Sequence, residues 1–424
     1  MRSGDGPRSA SRSAWLVVAL LMPVALLNYL DRQMLASMKS SVMADIPTIA
    51  TEENWGLMLG QFKWVYAVFS LLGGYLADRF SRRYVICSSV IVWSAITWLT
   101  SAATTFHELL WTRSLMGISE AFYIPAALAL IADYHAGDTR SRAIGLHQMA
   151  IYCGVILGGF AGYLADAPTF GWRFAFEVCG ILGIAYAAPL WALLRDKTSG
   201  IDVAEAKSSS GNVIQLLSNH SFILLVLYFT LPAIAGWVVR DWMPAILKEN
   251  FHLAQGPAGV AATLSWQLAA IVGVILGGWL ADRWIRSSRR GRIYVSALGM
   301  GMIAPAIFGV GSATSLFAAV ACLALFGIGW GFFDCNNMPI LSQIVQPQLR
   351  ATGYGIMNFA SISCGGLADW FFGQQRDQGV GLNMIFASFA GIGLTSIVLV
   401  LLIRPKSELE SATATNAKVP AEAG

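Results

Sequence analysis

Gly73-Gly74-Tyr75-Leu76-Ala77-Asp78-Arg79-Phe80 returns 204 residues later as Gly277-Gly278-Trp279-Leu280-Ala281-Asp282-Arg283-Trp284. In each copy an apolar run ends in an acid–base pair, and a basic cluster follows: Arg82 and Arg83, then Arg286, Arg289 and Arg290. A second pair of stretches keeps nearly the same spacing. Arg142-Ala143-Ile144-Gly145 leads to Gly158-Gly159, and Arg350-Ala351-Thr352-Gly353 leads to Gly365-Gly366, at offsets of 208 and 207 residues. The chain reads as two related halves in tandem.

Composition puts this tandem in a membrane. Hydrophobic residues make up 56% of the chain and charged residues 12%, against roughly 25% charged in soluble domains. Apolar runs of about 20 residues, the length a helix needs to cross a ~30 Å hydrocarbon core, recur along the whole chain. They are continuous rather than alternating, which argues against a transmembrane β-barrel. The predicted fold is an all-α polytopic membrane protein of twelve transmembrane helices in two six-helix bundles. The first six spans are 14–37, 57–77, 84–104, 107–132, 143–165 and 173–194. The second six are 219–243, 258–281, 293–311, 314–341, 350–372 and 381–403. A basic tail (1–13), a polar linker (195–218) and a polar tail (404–424) flank the bundles 14–194 and 219–403. The first apolar run lacks a small-residue cleavage site and is read as a retained helix.

Positive charge alternates between the loops. One set carries Arg79, Arg82, Arg83, Arg140, Arg142, Arg195, Lys197, Lys207, Arg283, Arg286, Arg289, Arg290, Arg292, Arg350 and Arg404. The opposite set is short or acidic, with Glu52, Glu53, Glu108, Asp166, Lys248 beside Glu249, and Arg376 beside Asp377. Short loops rich in Lys and Arg stay cytoplasmic, so both termini are expected there, in a plasma (inner) membrane. The six cysteines lie in apolar runs without CxxC or Cys/His spacing, so neither a disulfide framework nor a metal site is expected. No HExxH, GxSxG or Walker loop is present. The chain therefore reads as no enzyme, with no cofactor and no nucleic-acid partner.

Gly74-x-x-x-Asp78-Arg79-x-x-Arg82-Arg83 resembles the loop signature between helices two and three of the major facilitator superfamily, with Ser81 where the signature has glycine. Arg113-Ser114-Leu115-Met116-Gly117 resembles that family's second motif, on helix four. The resemblance covers the whole chain. It implies a monomeric secondary active transporter working by alternating access, in which one half rocks against the other. Asn28-Tyr29-Leu30-Asp31-Arg32 and Arg113…Gly117-x-x-Glu120-Ala121 resemble two groups within the superfamily: anion:cation symporters of sugar acids and other organic anions, and Spinster-like lysolipid carriers. Gly171-Trp172-Arg173-Phe174-Ala175-Phe176 and Trp242-Met243-Pro244 lean towards the first group. The leading expectation is proton-coupled symport of a small organic anion such as a hexuronate or other sugar acid. The alternative is a Spinster-like lysolipid or amphiphile transporter or exporter. Protons are the expected coupling ion, with Na⁺ as the alternative.

Charge at bilayer depth costs roughly 2.5–3.5 kcal/mol per residue on insertion scales, so intramembrane charges point to function. Asp31 lies ~24 Å along the first span and Arg113 ~8 Å from the opposite face along the fourth, nearly level in a ~30 Å core. Glu120 follows Arg113 on the same helix face, ~10 Å deeper. Asp31, Glu120 and Arg113 are the candidate proton-coupling residues. Burial favours a protonated carboxyl and a nearby arginine the ionised one, so an arginine alternating between carboxylate and substrate anion links the two ligands. Arg32 is the candidate substrate contact, because its planar fork suits a carboxylate or phosphate. Arg113, Asn28, Tyr29, Tyr66, Tyr123, Asn336, Asn337 and Asn358 complete the substrate set. Asp78, Arg79, Arg82, Asp282 and Arg283, at the repeated helix ends, are the candidate gate. Lys39 and Lys63 are expected to snorkel to the interface, and His147 to pack or hydrogen-bond. Pro125 and Pro339 are expected to bend the fourth and tenth spans.

Overall fold

A computed structural model describes residues 7–135, 138–196 and 213–405, with the side chains of 7–12, 74–78, 138 and 213 left aside. Residues 1–6 of the first tail, 197–212 of the linker, 406–424 of the last tail and the side chain of Asp78 lie outside the described residues.

The described residues form helices, with no strand among them. In the first half these are α1 (Pro7–Ser37), α2 (Lys39–Asp45), α3 (Glu52–Arg79), α4 (Arg82–Thr100), α5 (Phe106–Glu120), α6 (Tyr123–Tyr134), α7 (Asp138–Gly159), α8 (Ala161–Asp166) and α9 (Gly171–Leu193). After the linker come α10 (Val213–Leu217), α11 (His220–Phe251), α12 (Gln255–Trp284), α13 (Gly291–Ser312), α14 (Leu316–Ile344), α15 (Arg350–Asp377) and α16 (Leu382–Leu402). Every expected span falls on a helix or a broken pair of helices. Ten spans among the described residues are long and apolar enough to cross a membrane. α3 and α15 are not among the ten. α15 carries Asn358, Ser361, Ser363 and Asp369 through its middle, which lowers its hydropathy.

Proline acts differently in the two halves. The fourth span breaks into α5 and α6 at Ala121 and Phe122, four residues before Pro125. A helical proline removes the N–H that the residue four back would have used, and its ring crowds that residue's carbonyl. The freed Ala121 carbonyl is approached by Gly73, where an added Cβ would lie 2.8 Å from that oxygen. The break follows directly after Glu120. Pro339 sits inside an unbroken α14.

By contact the chain divides into two compact units. One comprises Met1–Gly200, Trp237–Leu264 and Gly365–Gly379; the other comprises Ile201–Gly236, Ser265–Cys364 and Val380–Gly424. The first unit thus takes the C-terminal part of α11, the N-terminal part of α12 and the C-terminal part of α15, cutting across the halves that the repeat defines. Its apolar core gathers Leu21, Val24, Trp93, Tyr123, Leu130 and Leu190. Within it α1 lies along α7, α4 along α9 and α3 along α5. Gly158 permits the first of these contacts, since a Cβ there would meet the Leu30 carbonyl at 2.7 Å. In the second unit α13 packs on α14 and α16.

Candidate functional site

Three helices of the first unit bring the expected charges together. Arg32 on α1 donates from Nε to Glu120 Oε2 on α5 at 2.6 Å, with the glutamate side chain fully buried. The Arg32 guanidinium carbon stands 4.9, 4.8 and 4.7 Å from the ring centres of Tyr29, Phe62 and Tyr66. Rings cover the cation while its edge holds the carboxylate, so it loses water without losing electrostatic partners. Arg32, the candidate substrate contact, is thus the direct partner of Glu120.

Asp31 is buried and accepts a hydrogen bond from the Thr97 hydroxyl on α4. That hydroxyl is also 3.0 Å from the Trp93 carbonyl, so its single hydrogen has two acceptors to choose between. Arg113 is buried too, donating from Nη2 to the Thr100 hydroxyl at 3.4 Å and facing the Phe176 ring at 5.6 Å. It forms no ion pair with Asp31 here. The two approach through threonines one turn apart on α4 rather than directly. Helix rise gave their shared depth, but rotation about each axis is set by packing.

A second charged group lies in the same unit. The Lys63 ammonium on α3 holds both Asp241 on α11 and Asp369 on α15, with all three side chains at least nine-tenths buried. Trp242 Nε1 donates to Asp369 Oδ1 at 3.2 Å, and the ammonium lies 4.5 Å from the Trp237 ring centre. Arg240 Nε is 3.9 Å from Asp241 Oδ1, and its guanidinium carbon is 5.1 Å from the Tyr29 ring centre, joining this group to Arg32. Glycines allow the approach: a Cβ on Gly60 would lie 2.7 Å from the Gly366 carbonyl. Towards the ends of these helices Arg376 Nη2 bonds Glu249 Oε2 at 2.8 Å, and Asp377 accepts from the Glu52 and Glu53 amides at 3.0 and 2.7 Å. Lys39, buried beside Glu52, adds to them.

The snorkelling expected of Lys39 and Lys63 is therefore corrected. Each ammonium has carboxylates within reach inside the protein, which satisfies it better than a strained path to the interface. Sequence reasoning missed Arg240, Asp241 and Asp369. Their signal was present, as charges in apolar runs, but the family motifs do not include them.

The remaining candidates scatter. Asn28 is fully buried with both side-chain polar atoms lacking a partner. Tyr123 sits in the apolar core, its hydroxyl 3.0 Å from the Leu21 carbonyl and 2.9 Å from His147 Nε2, which gives His147 its expected hydrogen bond. Tyr123 is thus part of the packing and not of the group around Arg32. Asn336, Asn337 and Asn358 belong to the second unit. Asn336 donates to the Phe332 carbonyl of its own helix at 2.9 Å. At the helix ends Arg82 is ion-paired with Asp133, and Arg292 Nη2 with Asp282 Oδ1 at 3.0 Å, while Arg79 and Arg283 are exposed. Trp172 Nε1 and Arg173 Nε both donate to Asp45 Oδ2, at 3.0 and 2.9 Å, tying the end of α2 to α9.

Protein spinster homolog 1 of Homo sapiens is 31% identical over 337 residues, covering 74% of this chain and 61% of that protein. The chain thus spans about three fifths of the length of that relative. An MFS-type efflux pump of Mycolicibacterium smegmatis is 26% identical over 381 residues, covering 88% of this chain and 86% of that protein. A crystal structure of a bacterial homolog to the human lysosomal transporter Spinster, in an inward-facing and occupied conformation, superposes with a TM-score of 0.75 at 21% identity, covering 99% of this chain and 100% of that one. The Major Facilitator Superfamily profile matches residues 21–368. With its helical fold and repeated loop motif, the chain is a multi-pass membrane protein that belongs to the Major Facilitator Superfamily.

Proposed function

We propose that this protein is a proton-coupled secondary transporter of an organic anion, with an amphiphilic, lysolipid-like cargo as the favoured class. The observation that carries the reading is the buried Arg32–Glu120 pair, flanked by Asp31 and Arg113. An arginine held by one carboxylate exchanges that partner for a substrate anion once the carboxylate takes a proton. Proton and anion then bias one conformational equilibrium together, which symport requires. In this scheme Glu120 and Asp31 carry protons, Arg32 and Arg113 receive the cargo's anionic group, and Tyr29 and Tyr66 flank it. Arg82, Asp282 and Arg283 serve the gate. The similarity to spinster proteins supports the amphiphile class. The sugar-acid class is the second reading, supported by the two buried amides Asn336 and Asn337 on α14. In this reading the protein works in the plasma membrane with both termini cytoplasmic, an orientation that its basic loops support.

The test is uptake into proteoliposomes under an imposed pH gradient, with labelled lysophospholipids and hexuronates compared side by side. Gradient-dependent movement of a lysophospholipid, lost in E120Q, is the expected result. Hexuronate uptake alone reverses the ranking of cargoes, and uptake indifferent to the gradient removes proton coupling.

A further inference from the structure

A groove of about 390 Å³ runs between α4 and α5 in the first unit. One wall is the face of α4 that carries Val85, Val92 and Ile96, and the other carries Leu115 and Ile118 of α5. No charged residue lines it. Three serines do, and each hydroxyl is spent on a backbone carbonyl: Ser88 on Tyr84 at 2.7 Å, Ser89 on Ser119, and Ser119 on Met116 at 3.1 Å. A polar ligand would lose its water here with no donor or charge to replace it, whereas a hydrocarbon chain loses nothing.

The groove opens sideways. Phe80, Val92 and Leu115 on its rim are 58, 48 and 46% exposed, and Val92 and Leu115 belong to helices that cross the membrane, so what they meet there is lipid. From Val85 to Ile96 α4 rises ~16 Å, close to one leaflet's half of a ~30 Å hydrocarbon core. The bond from Ser89 to Ser119 sets the two walls in register. Ile96 and Leu115 therefore mark the deep end, while Phe80 and Phe122 mark the end beside the basic loop. Arg79, exposed and next in the chain to Phe80, offers a cation to a phosphate at that surface. Lipid tails are as apolar as leucine, so a chain is held here by packing: a concave wall gives it contacts that a flat helix face cannot.

We propose that the groove seats one acyl chain of a resident membrane phospholipid, separate from the cargo. Arg32, Arg113 and Glu120 are absent from its walls, and the orientation leaves the headgroup at the surface. Ser119 and Phe122 do line it, on either side of Glu120 and Ala121, so the chain completes the packing around the break in the fourth span. The assignment does not depend on the nature of the cargo or on proton coupling.

The test is photolabelling of the full chain in proteoliposomes, with a diacyl phosphatidylcholine that carries a diazirine at the end of one acyl chain. Label is expected to concentrate on the segments around Ile96 and Leu115, above the level at Leu394 and Val398, which are exposed on α16. V92W, which fills the groove, should lose the label on α4 and α5 and keep it on α16. Native mass spectrometry should then count one phospholipid fewer on V92W than on the wild type. Equal labelling of wild type and V92W overturns the proposal, as does label spread evenly over α4, α5 and α16, the mark of ordinary bilayer contact. Displacement of the label by a lysophospholipid, at concentrations where added diacyl lipid has no effect, also overturns it and gives the groove to the tail of the cargo. Should V92W fail to fold, L115W fills the groove from the opposite wall and is read in the same way.

Discussion

Arg32 and Glu120 are 88 residues apart in sequence and 2.6 Å apart in the fold. Glu120 ends α5 at a break four residues ahead of Pro125, so the carboxylate sits at the interruption of the fourth span. The arginine cannot leave it freely. Separating a buried pair without replacing either charge costs about 3–5 kcal/mol, so release needs a proton on Glu120 or another anion for Arg32.

E120Q removes the proton carrier while keeping the side chain's size. We expect accumulation against a gradient to fall by the ~5–150-fold typical of a coupling free energy, while exchange of cargo across proteoliposomes at equal pH persists. Full gradient-driven accumulation in E120Q would assign coupling elsewhere.

Thr97 tests the role of Asp31. Its hydroxyl reaches both Asp31 and the Trp93 carbonyl, and one hydrogen serves one acceptor at a time. An ionised Asp31 attracts that hydrogen; a protonated one donates instead and sends it to the carbonyl. T97V is expected to alter the pH profile of transport and T97S to retain it. Matching profiles in wild type and T97V would leave the threonine a packing residue.

Lys63→Met should destabilise the protein by about 3–5 kcal/mol, because it strands Asp241 and Asp369 without their cation. The triple variant K63M/D241N/D369N should unfold closer to wild type than the single one, since neutral buried groups need no partner charge. Thermal unfolding in detergent checks both. A triple variant less stable than K63M would contradict the pairing.

Gly60 is expected to tolerate no side chain. Its Cβ would come 2.7 Å from the Gly366 carbonyl, forcing α3 and α15 apart beside Lys63 and Asp369. G60V should therefore make a cysteine placed at position 369 or 241 react faster with a membrane-impermeant thiol reagent than in the Gly60 background. Unchanged labelling would show that the helices part without consequence at this point.

Most of the fold was legible from local properties. Apolar run length marks a span because the hydrocarbon core has one thickness. Loop charge and the Gly73 and Gly277 repeat ordered those spans into two related halves. The depth of Asp31, Arg113 and Glu120 followed from a fixed helix rise. Which of them touch did not follow, since rotation about a helix axis and helix tilt depend on side chains packed from other helices. Lys63 illustrates the limit. Alone it reads as a residue that reaches for the interface, and only the approach of α11 and α15 turns it into the centre of a buried ion group.

By itself, then, the sequence determined the solvent the chain lives in, its membrane-spanning segments, its duplication and the presence of charges that only a protein interior or a water path tolerates. Tertiary structure alone decided the partners: Glu120 for Arg32, Thr97 for Asp31, Asp241 and Asp369 for Lys63. The reason is range. Hydropathy and helix rise act between neighbours along the chain, whereas an ion pair across 88 or 306 residues exists only after glycine contacts and a proline break have brought separate helices to one place.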